Sequence, residues 1–361
     1  MANKKQSALN ETKGVSVSEI TNTSSIKSIQ SKRKIDLDTD TLVTSILNKD
    51  ITALSRAITL VESKNPKHLE QANNILKSCL PFANKSIRIG ITGVPGVGKS
   101  TFIEAFGKHL TSLGKRVAVL AIDPSSTITK GSILGDKTRM EALVKDKNAF
   151  IRPSPAGTTL GGVTHTTQSA IALCEWAGYS VVLIETVGVG QNEGAVANMV
   201  DCLVLLNQPG SGDELQGIKK GILEHADLLL VNKHDGTTKL LAEHTRTHLQ
   251  SAAHLYRHEL EEYSVPCILV SALESVGIDE SWSQVLDFVN HSKKMGYWEK
   301  RRQEQIIRWF KKLAEHYWIY HLWQHPTHLT KLASLEDALR SEKINVIEAV
   351  ESFVPPFREP Q

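Results

Sequence analysis

The sequence predicts an α/β protein with a doubly wound, mostly parallel sheet, a helical hairpin before it and a helical extension after it. Between residues 87 and about 273, short runs of Val, Ile and Leu alternate with segments of helical periodicity. Helices cover both faces of a parallel sheet, so its strands need continuous apolar residues rather than alternating ones. A glycine-rich turn follows the first of these runs. With 361 residues, the chain can bury such a core and carry additional helices.

Composition excludes several classes of protein. The net charge of +3 and the pI near 8.5 are too balanced to indicate a nucleic-acid partner. The four cysteines share no metal-site spacing and are expected to be reduced thiols. No apolar run has the length of a membrane span, and no signal-peptide core is present. We therefore expect a cytoplasmic protein without a membrane partner, or one of the mitochondrial matrix if the source is eukaryotic.

The ends of the chain differ in composition from the middle. The first residues are rich in Ser, Thr, Lys and Asn and hold few large apolar side chains, so we expect them to be disordered. Helical spacing follows, with a break at Pro66. The predicted organisation is a disordered tail (1–36), an N-terminal helical segment (37–85), a phosphate-binding α/β domain (86–275) and a C-terminal helical extension that serves dimerisation (276–361).

The predicted strands are the continuous apolar runs of the middle region. Each is short and is followed by glycine or by polar residues. In doubly wound sheets, ligands bind at the carboxyl ends of the strands. The runs are Ile87–Thr92, Val117–Ile122, Val181–Ile184, Cys202–Leu206, Leu228–Val231 and Cys267–Val270.

The turn after the first strand fits the P-loop pattern without a mismatch. It reads Gly93-Val94-Pro95-Gly96-Val97-Gly98-Lys99-Ser100. Glycines let backbone N–H groups turn inward around phosphate oxygens, and the following helix presents its positive dipole end to the same anion. Lys99 is placed to neutralise phosphate charge, and the Ser100 hydroxyl to bind Mg²⁺. Thr101 completes the predicted phosphate contacts.

A second motif addresses the base of the nucleotide. Asn232-Lys233-His234-Asp235 follows the Leu228–Val231 strand directly. An aspartate there can accept two hydrogen bonds from guanine, whereas adenine offers the wrong donors. Asn232 and Lys233 are expected to brace the loop and cover the base. Ser271, Ala272 and Leu273, after the last strand, are predicted to contact the guanine oxygen. Together with the P-loop, the motif predicts binding of GTP and GDP.

Acidic residues near glycines are the candidate magnesium ligands. Asp123 and Glu185 each end a predicted strand, and Asp136 lies in a glycine-containing segment. Magnesium bound to nucleotide phosphates needs few protein oxygens, so Ser100 with one or more of these acids suffices. A helix cap or turn residue remains the alternative for Asp136.

Aromatic residues concentrate after Gly277, and five of the six tryptophans lie from Trp282 onward. A helical core of their own and an oligomer interface both explain this density.

Three longer segments resemble the MeaB/ArgK family of G proteins, the methylmalonyl-CoA mutase-associated GTPases: Gly135–Met140, Glu185–Gln191 and Gly212–Gly221. The similarity runs from about residue 86 to 275. It implies a P-loop GTPase domain and a homodimer that docks on an adenosylcobalamin-dependent acyl-CoA mutase. In that family the protein gates cofactor loading from an adenosyltransferase and protects the mutase from inactivation.

The resemblance also implies roles for individual residues. Asp123, Asp136 and Glu185 would serve the metal and the first switches. Asp213 and Lys219 would lie on the loop that relays the nucleotide state to the partner. The predicted catalytic residues are thus Lys99 and Asp123 in the site and Lys219 in the relay.

Two other functions remain open: GTPase-driven maturation of a nickel enzyme, and a small-molecule kinase linked to arginine and ornithine transport. A nickel factor needs a histidine-rich store near the P-loop, yet residues 1–86 hold one histidine, His68. Asp235 argues against an ATP-dependent kinase. Gly188 is followed by Val189 instead of a water-positioning glutamine, so we expect slow basal hydrolysis that a partner accelerates.

Overall fold

The computed structural model describes residues 38–63, 65–82, 86–123, 140–155, 162–186, 193–210, 220–256, 258–324 and 326–354. The predicted tail of residues 1–36 lies outside this set. Within the described residues, seven strands form one sheet in the order β3-β2-β4-β1-β5-β6-β7, and neighbouring strands run parallel. They are β1 (Ile87–Gly93), β2 (Val117–Asp123), β3 (Ala149–Pro155), β4 (Val181–Thr186), β5 (Cys202–Asn207), β6 (Leu228–Val231) and β7 (Cys267–Leu269).

Helices precede, separate and follow these strands. In chain order they are α1 (Thr39–Leu47), α2 (Ile51–Val61), α3 (Pro66–Cys79), α4 (Lys99–Ser112), α5 (Glu141–Val144), α6 (Gly162–Trp176), α7 (Glu193–Ala197), α8 (Lys220–His225), α9 (Lys239–Ala253), α10 (Ile278–Lys294), α11 (Tyr297–Gln324), α12 (Pro326–Arg340) and α13 (Val346–Phe353). None of these helices combines the length and hydropathy that a membrane crossing requires.

The sheet is buried on both faces, which confirms the predicted doubly wound α/β class. One core joins the sheet to α1, α2, α3 and α6, with Ile58, Ile75 and Leu173 fully buried. A second core on the opposite face joins it to α4 and α10 through Phe106 and Phe288. Each face therefore removes a separate set of apolar side chains from water.

One strand, β3, was not predicted from the sequence. Its residues include Arg152, Pro153 and Pro155, so no continuous apolar run marks it. In the part of the chain that the structure describes, this strand pairs with β2 alone and forms the edge of the sheet. Proline is tolerated at an edge because the ladder there needs hydrogen bonds on one side only.

A network of buried charges fixes the start of α11 to the amino-terminal end of the sheet. The Arg302 guanidinium binds both carboxylate oxygens of Asp201, just before β5, at 2.5 Å. It also donates to the Ser86 carbonyl at 2.8 Å. On the neighbouring strand, the Arg88 Nε donates to Glu175 Oε1 at 2.9 Å. Charges this deeply buried need such partners, since each ion has lost its hydration.

A third buried carboxylate, Asp227, lies one strand further along the same end. It accepts hydrogen bonds from Arg301, His258 and the backbone N–H of Leu203. Burial alone would raise the pKa of Asp227, but Arg301 and His258 outweigh it and hold that pKa below its usual range. The carboxylate therefore stays ionised, and α11 is tied to β6 as well as to β5.

We expect Arg302→Met to lower the free energy of unfolding by about 3–5 kcal/mol, because it leaves the buried Asp201 carboxylate without its guanidinium. Methionine keeps much of the side-chain volume, so the loss reports the charge. Denaturant unfolding followed by circular dichroism measures it.

Arg340→Met is the matched control. That arginine pairs with Glu336 and Asp337 at 3.6 and 3.5 Å on the exposed surface of α12. Such pairs contribute about 0–1 kcal/mol. Equal losses for the two variants would contradict the assigned role of the buried network.

Candidate nucleotide-binding site

The P-loop lies between β1 and α4, where the sequence predicts it. The strand ends at Gly93 and the helix begins at Lys99. Gly96 and Gly98 have φ angles of +78° and +93°, in the left-handed region. At Gly98 a Cβ atom would also lie 2.7 Å from the Asn232 side-chain nitrogen, whereas at Gly96 it would meet no atom within 4 Å. The turn thus needs glycine for its backbone at both positions and for space at Gly98.

The Lys99 side chain folds back over this loop. Its Nζ donates to the carbonyls of Gly93 and Val94, at 2.8 and 3.1 Å. Burial lowers the pKa of Lys99, and the charge of Glu185 acts against that shift. The two carbonyls hold the Lys99 amino group at the mouth of the loop, in the position where phosphate charge would require a cation.

Ser100 and Glu185 meet where the amino end of α4 lies beside the carboxyl end of β4. The Ser100 Oγ donates to Glu185 Oε1 at 3.1 Å, which joins the first turn of α4 to the end of β4. Two adjacent ligands of octahedral Mg²⁺, each at 2.0–2.1 Å from the ion, are about 2.9 Å apart. The spacing and chemistry of this oxygen pair therefore fit magnesium.

The structure describes less of the other acidic residues that were predicted as magnesium ligands. β2 runs beside β4, with Ala121 opposite Glu185, so the backbone of Asp123 ends at the same edge. The side chain of Asp123 lies outside the described part of the structure, as do Asp136, Asp213 and Lys219.

The loop after β6 is tied to the P-loop through two side chains. Asn232 is 2% exposed, and its Nδ2 donates to the Val97 carbonyl at 2.9 Å. Its Oδ1 accepts a hydrogen bond from the backbone N–H of Ala272 at 3.1 Å. The Nζ of Lys233 donates to the Gly96 carbonyl at 2.8 Å. These bonds bring three loops, from distant parts of the sequence, to one edge of the sheet.

Asp235 is braced by the last of these loops. The Ser271 Oγ donates to its Oδ2 at 2.5 Å and accepts from the backbone N–H of Glu274 at 3.1 Å. Leu273, at 80% exposure, lies beside them on the rim. A cavity of about 530 Å³ borders Leu273 and Thr101, and most of the rest of its lining comes from α4 and the start of α10 instead of from the P-loop turn.

Two buried threonines at this edge were not identified from the sequence. The Thr186 Oγ1 donates to the Thr92 Oγ1 at 3.0 Å. Both residues are polar and lie near the carboxyl end of a strand, Thr92 directly before Gly93 and Thr186 directly after Glu185. Their position next to predicted site residues was the signal in the sequence that could have identified them.

A parallel doubly wound sheet with a P-loop after its first strand and a braced Asn-Lys-x-Asp loop after β6 defines a P-loop GTPase. The family described as methylmalonyl-CoA mutase-associated GTPase MeaB matches residues 54–327. The GTPase ArgK of Escherichia coli is 46% identical over 269 residues, 74% of this chain and 81% of ArgK. The chain belongs to the MeaB family, as the resemblance in its sequence predicts.

Two further proteins extend the comparison. The mitochondrial methylmalonic aciduria type A homolog of Mus musculus is 42% identical over 329 residues, 88% of this chain and 79% of its own. The crystal structure of a protein called LAO/AO transport system kinase covers 87% of this chain and 96% of its own. It has a TM-score of 0.68 and 34% sequence identity. The chain is thus a guanine-nucleotide-binding GTPase.

Gly98→Ala should destabilise the protein more than Gly96→Ala. Both changes force alanine into the left-handed region, which costs about 1–2 kcal/mol. Only Gly98→Ala also displaces Asn232, and overpacking adds about 1–3 kcal/mol. Denaturant unfolding of both variants compares the losses, and a larger loss for Gly96→Ala would refute the close approach of Asn232.

Proposed function

We propose that this chain binds GTP and GDP with Mg²⁺ at the described edge of the sheet. We further propose that it serves as a chaperone of an adenosylcobalamin-dependent acyl-CoA mutase. The observation that carries the nucleotide site is the three-loop junction, in which Asn232 and Lys233 hold the P-loop next to Asp235 and Ser271. A nucleotide spans just these groups, from phosphate to base.

The phosphate contacts in this proposal come from the P-loop. The backbone N–H groups of its turn surround phosphate oxygens, and Lys99 moves from the loop carbonyls to the β- and γ-phosphates. The residues concerned are Gly93, Val94, Pro95, Gly96, Val97, Gly98, Lys99, Ser100 and Thr101.

Magnesium in this proposal is held by Ser100 and Glu185, whose oxygens have the required spacing. Asp123 and Asp136 are the further candidate ligands. The ion would supply charge neutralisation between the phosphates. Ser100 and Glu185 would supply two of its oxygen ligands.

The base contacts in this proposal come from Asn232, Lys233, Asp235, Ser271, Ala272 and Leu273. The Ser271 hydroxyl occupies one side of the Asp235 carboxylate and so orients the group. A fixed carboxylate discriminates by hydrogen bonding, since a base with the wrong donors leaves it desolvated and unpaired.

Asp235→Asn should weaken GTP binding by about 10–100-fold, because a carboxamide cannot accept both guanine hydrogen bonds. The Ser271 hydroxyl can still donate to the asparagine oxygen, so the loop should stay in place. Xanthosine triphosphate should bind better than GTP, since its 2-oxo group needs a donor. Competition against a fluorescent guanine nucleotide measures both affinities.

Asp279→Asn is the control for this test. Asp279 is exposed in the first turn of α10, beside the cavity that also borders Leu273. Unchanged GTP affinity in Asp235→Asn, or the same loss in both variants, would rule out Asp235 as the base-reading residue.

The proposed partner is methylmalonyl-CoA mutase or a related mutase. The family description names that enzyme, and the mouse relative is named for methylmalonic aciduria. In this proposal the chain gates the loading of adenosylcobalamin from an adenosyltransferase and protects the mutase. Neither maturation of a nickel enzyme nor a small-molecule kinase gains comparable support from the family.

A homodimer completes the proposal. The C-terminal helices leave large apolar side chains uncovered within one chain, among them Phe310 at 69% and Trp318 at 78% exposure. In contrast, Trp282 is buried in the core of the sheet domain. Exposed apolar patches of this kind are typical of protein interfaces. Other exposed apolar side chains of the C-terminal helices are Ile306, Ile307, Ile319, Trp323, Val346, Ile347 and Val350.

We expect the purified protein to hydrolyse GTP slowly and the purified mutase to accelerate it. A transition-state cation supplied by a partner contributes about 10³–10⁵ in rate where it has been measured. In the proposed relay, Lys219→Ala should keep the basal rate and lose most of the acceleration. Phosphate release with and without methylmalonyl-CoA mutase measures both rates.

The neighbouring Lys220→Ala removes the same charge at the start of α8 and is the control. Rapid hydrolysis by the protein alone would contradict the proposed mechanism. Normal stimulation of Lys219→Ala would remove that residue from the relay.

A further inference from the structure

The hydroxyl pair Thr92–Thr186 lies where the backbone pairing of β1 with β4 ends. The ladder between these strands runs from Ile87 opposite Val181 to Ile91 opposite Glu185. Thr92 and Thr186 are next in the same register, and they are joined by side chains. The two Oγ1 atoms are 3.0 Å apart, and both residues are buried, with 0% and 3% exposure. The hydroxyl contact thus continues the pairing by one residue.

This hydroxyl contact joins the strand that leads to the P-loop to the strand that carries Glu185. Thr92 immediately precedes Gly93, where β1 leaves the sheet for the P-loop, and Thr186 immediately follows Glu185. Successive side chains of a strand point to opposite faces. Thr186 therefore acts on Glu185 through the backbone, from the other side of the sheet.

We propose that the Thr92–Thr186 pair is a positioning element that fixes the end of β4. It thereby sets where the Glu185 carboxylate stands relative to the Ser100 hydroxyl. This inference rests on the proposed nucleotide and magnesium site. It assigns a role to two residues that touch neither nucleotide nor metal.

The demand for such an element comes from the coordination chemistry of magnesium. Mg²⁺ requires near-ideal octahedral geometry with ligands at 2.0–2.1 Å, so small displacements of one oxygen weaken binding. Glu185 is the last position of the ladder between β4 and β1, whereas the ladder with β2 on the other side continues to Thr186. A hydrogen bond one residue further reduces the freedom of its backbone. Groups that hydrogen-bond to metal ligands change metal affinity by about 10–100-fold when removed, and a contact that acts through the backbone is expected to reach the lower end of this range.

The test measures the magnesium dependence of nucleotide release in the full chain. The probe is N-methylanthraniloyl-GDP, whose dissociation rate is followed by fluorescence across a titration of free Mg²⁺ and in EDTA. Thr186→Val keeps the shape of the side chain and removes the hydroxyl. We expect it to raise the Mg²⁺ concentration at the midpoint of the titration by about tenfold or more. The dissociation rate in EDTA should stay within about twofold of wild type, because no phosphate or base contact changes.

Two further variants separate positioning from general destabilisation. Thr186→Ser restores the hydroxyl and should restore the wild-type midpoint. Thr92→Val should shift the midpoint in the same direction but by less, because the Thr186 hydroxyl can still reach the Ile91 carbonyl at 3.4 Å. The double variant Thr92→Val/Thr186→Val should shift it no further than Thr186→Val alone, since both remove one contact.

An unchanged midpoint in Thr186→Val would overturn the inference, as would an equal acceleration of release with and without Mg²⁺. If Thr186→Val does not fold by circular dichroism, Thr92→Val decides by the same criteria. A wild-type protein that does not bind the probe, or releases it independently of Mg²⁺, would instead refute the proposed site itself.

Discussion

The buried amide of Asn232 is the contact on which the candidate site depends. A side-chain amide has a donor end and an acceptor end, and here each end is used by a different loop. The donor holds the Val97 carbonyl of the P-loop, and the acceptor holds the Ala272 N–H beside Ser271. The absence of a side chain at Gly98 gives the amide room for this contact. A single buried residue thus connects the phosphate-facing loop to the base-facing loop.

The opposite end of the sheet is organised by charge instead of amides. Glu175, Asp201 and Asp227 are buried there and would be costly to fold without partners. Arg88, Arg301 and Arg302 supply them, and two of these arginines come from the first turns of α11. Because breaking either side leaves a buried charge unpaired, the C-terminal helix cannot detach from the sheet at low cost. The start of α11 is therefore anchored at the end of the sheet remote from the candidate site.

The difference between these two ends explains what the sequence could predict. The P-loop and the Asn-Lys-x-Asp loop are local motifs, because a phosphate or a base is met by residues close together in the chain. The ion pairs join residues about a hundred positions apart, such as Arg302 and Asp201, and carry no local pattern. Thr92 and Thr186 are also far apart in the sequence, although each threonine is next to a predicted site residue. Continuous apolar runs predicted six strands but not β3, where an edge position allows proline and arginine.

The arrangement around Lys99 shows how far the site is formed by the chain itself. A buried ammonium with a lowered pKa needs acceptors, and the Gly93 and Val94 carbonyls provide them. Ser100 likewise has Glu185, and Asp235 has Ser271, so these polar groups already lie near the positions in which the proposal uses them. A phosphate or base that takes over such contacts exchanges one set of hydrogen bonds for another. Little ordering entropy is then lost, since the side chains are already held by their neighbours. Selectivity for guanine consequently rests on which groups can complete the exchange, and a fixed carboxylate at Asp235 accepts only from a base that presents donors there.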